Sequence, residues 1–167
     1  MAEAEVDYLD KTSRAIDVKF RIDETLEKKF IKQNKLPENS KVFAVIWTTT
    51  PWTIPGNQAV CLNKDIEYSL VEVTKNEIYI IASELVKTCF DRWSLEDFKI
   101  IKKMKGTDLD GLHFIHPLYN RTSPLLFSEH VTTDTGTGCV HSAPAHGPED
   151  FETCSENGIE LKNPCLL

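Results

Sequence analysis

Ile16, Val18, Phe20 and Ile22 alternate with Asp17, Lys19 and Arg21, the period-two pattern of a half-buried strand. Residues 23–33 change the rhythm. Leu26, Phe30 and Ile31 recur there at near-helical spacing among charges, which predicts a short surface helix before a polar turn over 34–40. Val42 leads into a continuous apolar run over 43–47 that threonines and Pro51 stop, so a buried strand is expected to run into a loop. Residues 58–62, 68–73 and 77–82 read as further strands separated by Asn, Asp and Lys turns. Ser83 is placed to cap a helix reaching to about Phe90. Residues 98–104 and 125–127 complete the set of strands.

Short strands at intervals of roughly ten residues, with few and short helices, predict an α+β, β-rich fold. A barrel-like or sandwich arrangement suits that spacing better than a doubly wound sheet. There are no internal repeats and no low-complexity segments. At 167 residues the chain is of single-domain size, and such a domain buries roughly 70% of its unfolded surface. The longest apolar runs, such as 78–82, are far short of the ~20 residues of a spanning helix. Met1-Ala2-Glu3-Ala4-Glu5 is acidic and lacks the basic start and apolar stretch of an export signal. Cys61, Cys89, Cys139, Cys154 and Cys165 are odd in number and form no Cys-x-x-Cys pair, which reads as reduced thiols. A formal charge of −7 tells against a protein that wraps a nucleic-acid backbone. It is compatible with a domain that receives only the tip of an RNA.

Two stretches carry most of the chemistry. The first is Trp47-Thr48-Thr49-Thr50-Pro51-Trp52-Thr53-Ile54-Pro55-Gly56-Asn57. Pro51 cannot donate to a sheet ladder, so pairing ends there and the hydroxyls stand at a strand mouth. Threonine is also a good strand former and Thr-Pro marks turns, which accounts for a lone pair but less well for a triple between tryptophans. The second is Gly136-Thr137-Gly138-Cys139-Val140-His141-Ser142-Ala143-Pro144-Ala145-His146-Gly147-Pro148-Glu149-Asp150. Cys139 and His141 are expected to share one face of a strand. Pro148 suits a first helical position, which places Asp150 in a first turn, where amides and the helix dipole keep a carboxylate ionised. First-turn acids are also routine stabilisers, and a histidine in a strand is often a satisfied core residue.

Other chemistries compete for the second stretch. Cys139, His141, His146, Asp150 and Cys154 lie close in sequence, yet their intervals fit no standard zinc framework. A nucleophilic pair of Cys139 and His141 lacks an identifiable orienting partner. Lys103-Met104-Lys105-Gly106 reads as a charged strand edge and turn.

At the two stretches the sequence closely resembles the isoleucyl-tRNA synthetases, class I enzymes with an editing domain inserted into the nucleotide-binding domain. The likeness extends from Ala2-Glu3-Ala4-Glu5-Val6-Asp7-Tyr8 and Lys11-Thr12-Ser13 to Gly158-Ile159-Glu160 and Asn163-Pro164. The related valine and leucine enzymes typically carry Arg-Pro-Glu or Arg-Pro-Asp at Thr50-Pro51-Trp52, and lysine or methionine at His141. Ala145-His146-Gly147 resembles the bacterial and mitochondrial branch. The His-Ile-Gly-His and Lys-Met-Ser-Lys-Ser signatures of the ATP-using catalytic domain are absent, and His113-Phe114-Ile115-His116 is not the former.

The resemblance implies that residues 1–167 are one editing domain of a longer synthetase, without its nucleotide-binding catalytic and anticodon-binding domains. Its substrate would be the 3′ aminoacylated end of isoleucine tRNA wrongly carrying valine. Asp150 would hold the substrate's ammonium group, and His141 would line the side-chain pocket and set its size. Thr48, Thr49, Thr50 and Thr53 would orient the terminal adenosine, the ester and the attacking water, with Trp52 and Asn57 shaping the rim. No cofactor or metal is implied for the editing step, whereas the full-length enzyme would use ATP and Mg. A bacterial cytoplasm or a mitochondrial matrix is the implied setting, without a membrane. Editing domains of the valine or leucine enzymes, a noncatalytic RNA-binding barrel and a small metal-dependent hydrolase remain the alternatives.

Overall fold

The alternation at the start of the chain forms strand β1 (Ile16–Arg21), antiparallel to β2 (Lys41–Thr48). These are the first elements of a computed structural model that describes residues 14–74 and 76–143. Between them lies helix α1 (Glu24–Gln33), whose start is fixed by the Asp23 carboxylate accepting from the Thr25 amide at 3.1 Å. Glu27 of α1 is buried, because it accepts two hydrogen bonds from Arg21 at 3.0 and 2.8 Å and one from the Val42 amide at 3.2 Å. A paired, hydrogen-bonded carboxylate tolerates that burial and ties α1 to both strands.

The remaining strands are β3 (Ala59–Leu62), β4 (Glu67–Thr74), β5 (Glu77–Ala82), β6 (Lys99–Lys105), β7 (His113–Ile115), β8 (Thr122–Phe127) and β9 (Val140–Ser142). They form a five-stranded sheet in the order β1-β2-β5-β4-β6 and a four-stranded sheet in the order β7-β8-β3-β9. Most pairs are antiparallel, while β2 with β5 and β3 with β8 are parallel. Two seams close the sheets toward a barrel. At one, Ile22 bridges to Phe114 and the Asp23 amide donates to the His113 carbonyl at 2.8 Å. At the other, the Ala82 amide donates to the Thr137 carbonyl at 2.8 Å. One apolar cluster draws on both sheets, with Phe20, Ile46, Leu70 and Ile80 from the first and Leu62, Phe114 and Leu125 from the second.

Three local expectations are corrected. Ser83 does not cap a helix: it begins a 3-10 turn (Ser83–Leu85) ahead of α2 (Val86–Arg92), and its hydroxyl pairs with Ser69 at 2.8 Å. The loop expected after β2 is a 3-10 helix (Pro51–Gly56) with proline at its start. Residues 113–115 form a strand that the sequence pattern did not announce, since three residues are too few for a period.

Candidate functional site

The two chemistry-bearing stretches converge. A cavity of about 300 Å³ is lined by Trp47, Thr48, Thr49, Thr50 and Thr53 on one side and by His130, Thr132, Thr135 and residues 136–141 on the other. Strand β2 ends at Thr48, whose hydroxyl accepts from the Thr50 amide at 3.0 Å and so turns the chain into the 3-10 helix. Thr50 and Thr53 follow in a ladder of hydroxyls, 3.3 Å from Thr48 to Thr50 and 3.4 Å from Thr50 to Thr53. Thr53 also donates to the Thr50 carbonyl at 2.8 Å.

His141 stands at the end of this ladder, almost fully buried on β9. Its Nε2 lies 2.7 Å from the Thr53 hydroxyl and its Nδ1 3.1 Å from the side-chain nitrogen of Asn57. The Asn57 amide orientation follows from its other partners, because its NH2 donates to the Ala59 carbonyl at 2.9 Å and its oxygen accepts from Ser123 at 2.6 Å. An NH2 facing Nδ1 requires Nδ1 to accept. A neutral ring carries one N–H, so it sits on Nε2 and is donated to Thr53, whose own proton is spent on the Thr50 carbonyl. Protonating Nδ1 would set one donor against another.

The expected site residues fall into three groups. Thr48, Thr49, Thr50, Thr53 and His141 all line the cavity. Asn57 and Trp52 do not take the rim positions expected of them. Asn57 is wholly buried behind His141, because three residues past Ile54 the chain has turned inward toward β3. Trp52 is 67% exposed and absent from the lining, since its side chain leaves the 3-10 helix on the solvent side. Asp150 lies outside the described residues, as do His146 and Cys154. Among the described residues no group of three His, Cys, Asp or Glu side chains is placed to hold a metal. Burial pushes the Cys139 thiol far above its ordinary range, with nearby Cys89 adding to the shift, so it is a poor nucleophile.

Sequence reasoning left Ser123, Thr132, Thr135 and Thr137 without roles. Thr137 is the best anchored of them, donating to the Val45 carbonyl at 2.5 Å and accepting from the Cys139 amide at 3.3 Å. The glycines on either side of it were its signal. Gly136 at φ +78° and Gly138 at φ +82° adopt left-handed backbone, and a Cβ on Gly138 would stand 2.4 Å from that of Ala82. The loop is therefore pressed onto β5 and the Trp47 side chain.

The molecule is thus a β-rich closed fold with a threonine-and-histidine cavity where two distant segments meet. Residues 16–164 match the family described as leucyl-tRNA synthetase, editing domain, and the chain belongs to that family of class I synthetase editing modules. Within it, the sequence similarity lies with isoleucine enzymes. The chain is 47% identical to isoleucine–tRNA ligase of Lawsonia intracellularis over 98% of its length, and spans 17% of that relative. With isoleucine–tRNA ligase of Colwellia psychrerythraea the values are 46%, 98% and 18%. The crystal structure of GlLeuRS-CP1 superposes with a TM-score of 0.75 at 23% identity, covering 87% of this chain and 63% of that one, a likeness of fold alone.

Proposed function

We propose that this editing domain hydrolyses the ester that joins valine to isoleucine tRNA. One observation supports the reading above others: His141 faces the hydroxyl-lined cavity with Nδ1 accepting from Asn57 and Nε2–H donating to Thr53. A ring so engaged has no lone pair to offer as a base and serves as a fixed wall. Valine and isoleucine differ by one methylene, which attraction in an apolar pocket discriminates only about 10- to 200-fold. A rigid wall that admits the smaller side chain and clashes with the larger one inverts that preference.

Thr48, Thr50 and Thr53 present hydroxyls that can orient the ester and the attacking water, and such positioning contributes much of the rate for an ester that is already activated. The resemblance assigns Asp150 to the substrate's ammonium through a charge-assisted hydrogen bond. The editing step requires no cofactor in this reading. The test is deacylation of valyl and isoleucyl esters of the same isoleucine tRNA by the 167-residue chain, with excess chelator in a parallel arm. Hydrolysis of the valyl ester, sparing of the isoleucyl ester and indifference to chelator are expected. No hydrolysis of either ester, or equal rates for both, would overturn the proposal.

A further inference from the structure

The carbonyls of Gly136, Thr137 and Gly138 are all accounted for on the core side of the loop. The Gly136 carbonyl accepts from the Cys89 thiol at 3.2 Å, that of Thr137 from the Ala82 amide at 2.8 Å and that of Gly138 from the Tyr68 hydroxyl at 2.6 Å. In a trans peptide the N–H points opposite to the C=O of the same unit, and none of the described peptides is cis. The N–H groups of Thr137, Gly138 and Cys139 are therefore turned away from the core. That of Cys139 is satisfied by the Thr137 hydroxyl. Those of Thr137 and Gly138 have no acceptor among the described residues, and both residues line the cavity. Two adjacent donors in a cavity wall without a partner among the described residues are uncommon, because backbone N–H groups in folded proteins are nearly always paired.

We propose that the backbone amides of Thr137 and Gly138 form the oxyanion hole of the hydrolysis. This rests on the ester hydrolysis proposed above and adds the donors that the reaction needs. Water attacks the ester carbonyl carbon, a C–O bond forms, and the carbonyl π pair moves onto its oxygen, where the two N–H groups receive it. Collapse returns the pair, breaks the bond to the ribose oxygen, and that oxygen takes up a proton in exchange for the one the water released. Donors fixed before the reaction need no reorganisation when the charge appears. Here the fixing is visible: Tyr68, Ala82 and Cys89 clamp the three carbonyls, and Thr137 is tied to Val45. The side-chain hydroxyls on the opposite wall, Thr48 and Thr50, are left to hold the water and the ribose.

The test replaces Thr137 by its α-hydroxy counterpart and, separately, Gly138 by glycolate, so that each N–H becomes an ester oxygen while the side chain stays. For valyl-tRNA, kcat should fall by about 10²-fold or more in each variant, with KM held within about threefold, since such donors act on the transition state. Unchanged kcat in both variants, with the natural chain active, would overturn the amide assignment and leave the hydrolysis standing. A raised KM at constant kcat would overturn it as well, by making the amides ground-state contacts. An inactive natural chain would overturn the hydrolysis and this inference with it. A second measurement does not depend on the variants folding. The Thr137 and Gly138 amide protons should move downfield when an anionic tetrahedral phosphonate analogue of valyl-adenosine binds, and stay in place with the planar 3′-amide analogue. An equal shift produced by inorganic phosphate alone would mark a general anion site and overturn the proposal.

Discussion

At the scale of single residues, the orientation of one imidazole separates two chemistries. His141→Ala removes a wall, so the isoleucyl ester should become a substrate while the valyl ester is still cleaved. Loss of a general base at this position would instead suppress both rates by roughly 10²- to 10⁴-fold together. Deacylation rates for both esters in the natural chain and the variant decide between the roles, and equal large losses would count against the wall. His141, Thr48, Thr50 and Thr53 were legible in the sequence because each motif gathers its chemistry within a few positions. Asn57 was misplaced on the rim because its true contacts are His141, 84 positions away, and Ser123, 66 away. Local pattern says nothing about which face of a loop another strand will cover. Asn57 orients the ring, and its loss would remove the side-chain hydrogen bonds to His141, the Ala59 carbonyl and Ser123 at once.

Among elements, the 3-10 helix Pro51–Gly56 depends on a clasp from the β7–β8 turn. His116 donates from Nε2 to the Ile54 carbonyl at 3.0 Å, and its Nδ1 accepts from the amides of Leu118 and Tyr119 at 3.1 and 3.2 Å. Arg121 donates to the carbonyls of Pro55 and Asn57 at 2.8 and 3.1 Å. Burial, and secondarily the positive charge of Arg121, lower the His116 pKa from its usual 6.5. The folded chain thus prefers the neutral ring. The associated stability is fully present above 6.5 and is lost as the pH falls through the lowered folded value. Melting temperature should therefore decline on acidification below 6.5. His116→Gln, which cannot titrate, should show a flatter decline in parallel melts, and identical slopes would remove His116 from the account. Runs such as Val42 to Trp47 announced their strands by apolar continuity. The clasp gave no such signal, because a three-residue strand and a proline-initiated 3-10 turn are stabilised by partners rather than by their own periodicity.

Across the whole molecule, both sheets feed one apolar cluster and are stitched at Ile22–Phe114 and Ala82–Thr137, so neither has a core of its own. Unfolding of the 167-residue chain should accordingly be a single transition, with near- and far-ultraviolet circular dichroism superimposing during the melt. Two separate transitions would show that the sheets are independent units. The β-rich character was readable from strand spacing, which left barrel and sandwich both open. The strand order was not, because pairing partners such as β2 with β5 are chosen by long-range packing. Those long distances also govern when the chemistry can exist. Thr53 and His141 meet across 88 positions, so a ribosome releases the threonine side of the cavity long before the side that carries His141. Chain entropy alone sets about 4 kcal/mol against joining segments so far apart, and only the nearly complete fold offsets it. On the ester hydrolysis proposed above, a half-made domain would be silent toward esters rather than indiscriminate.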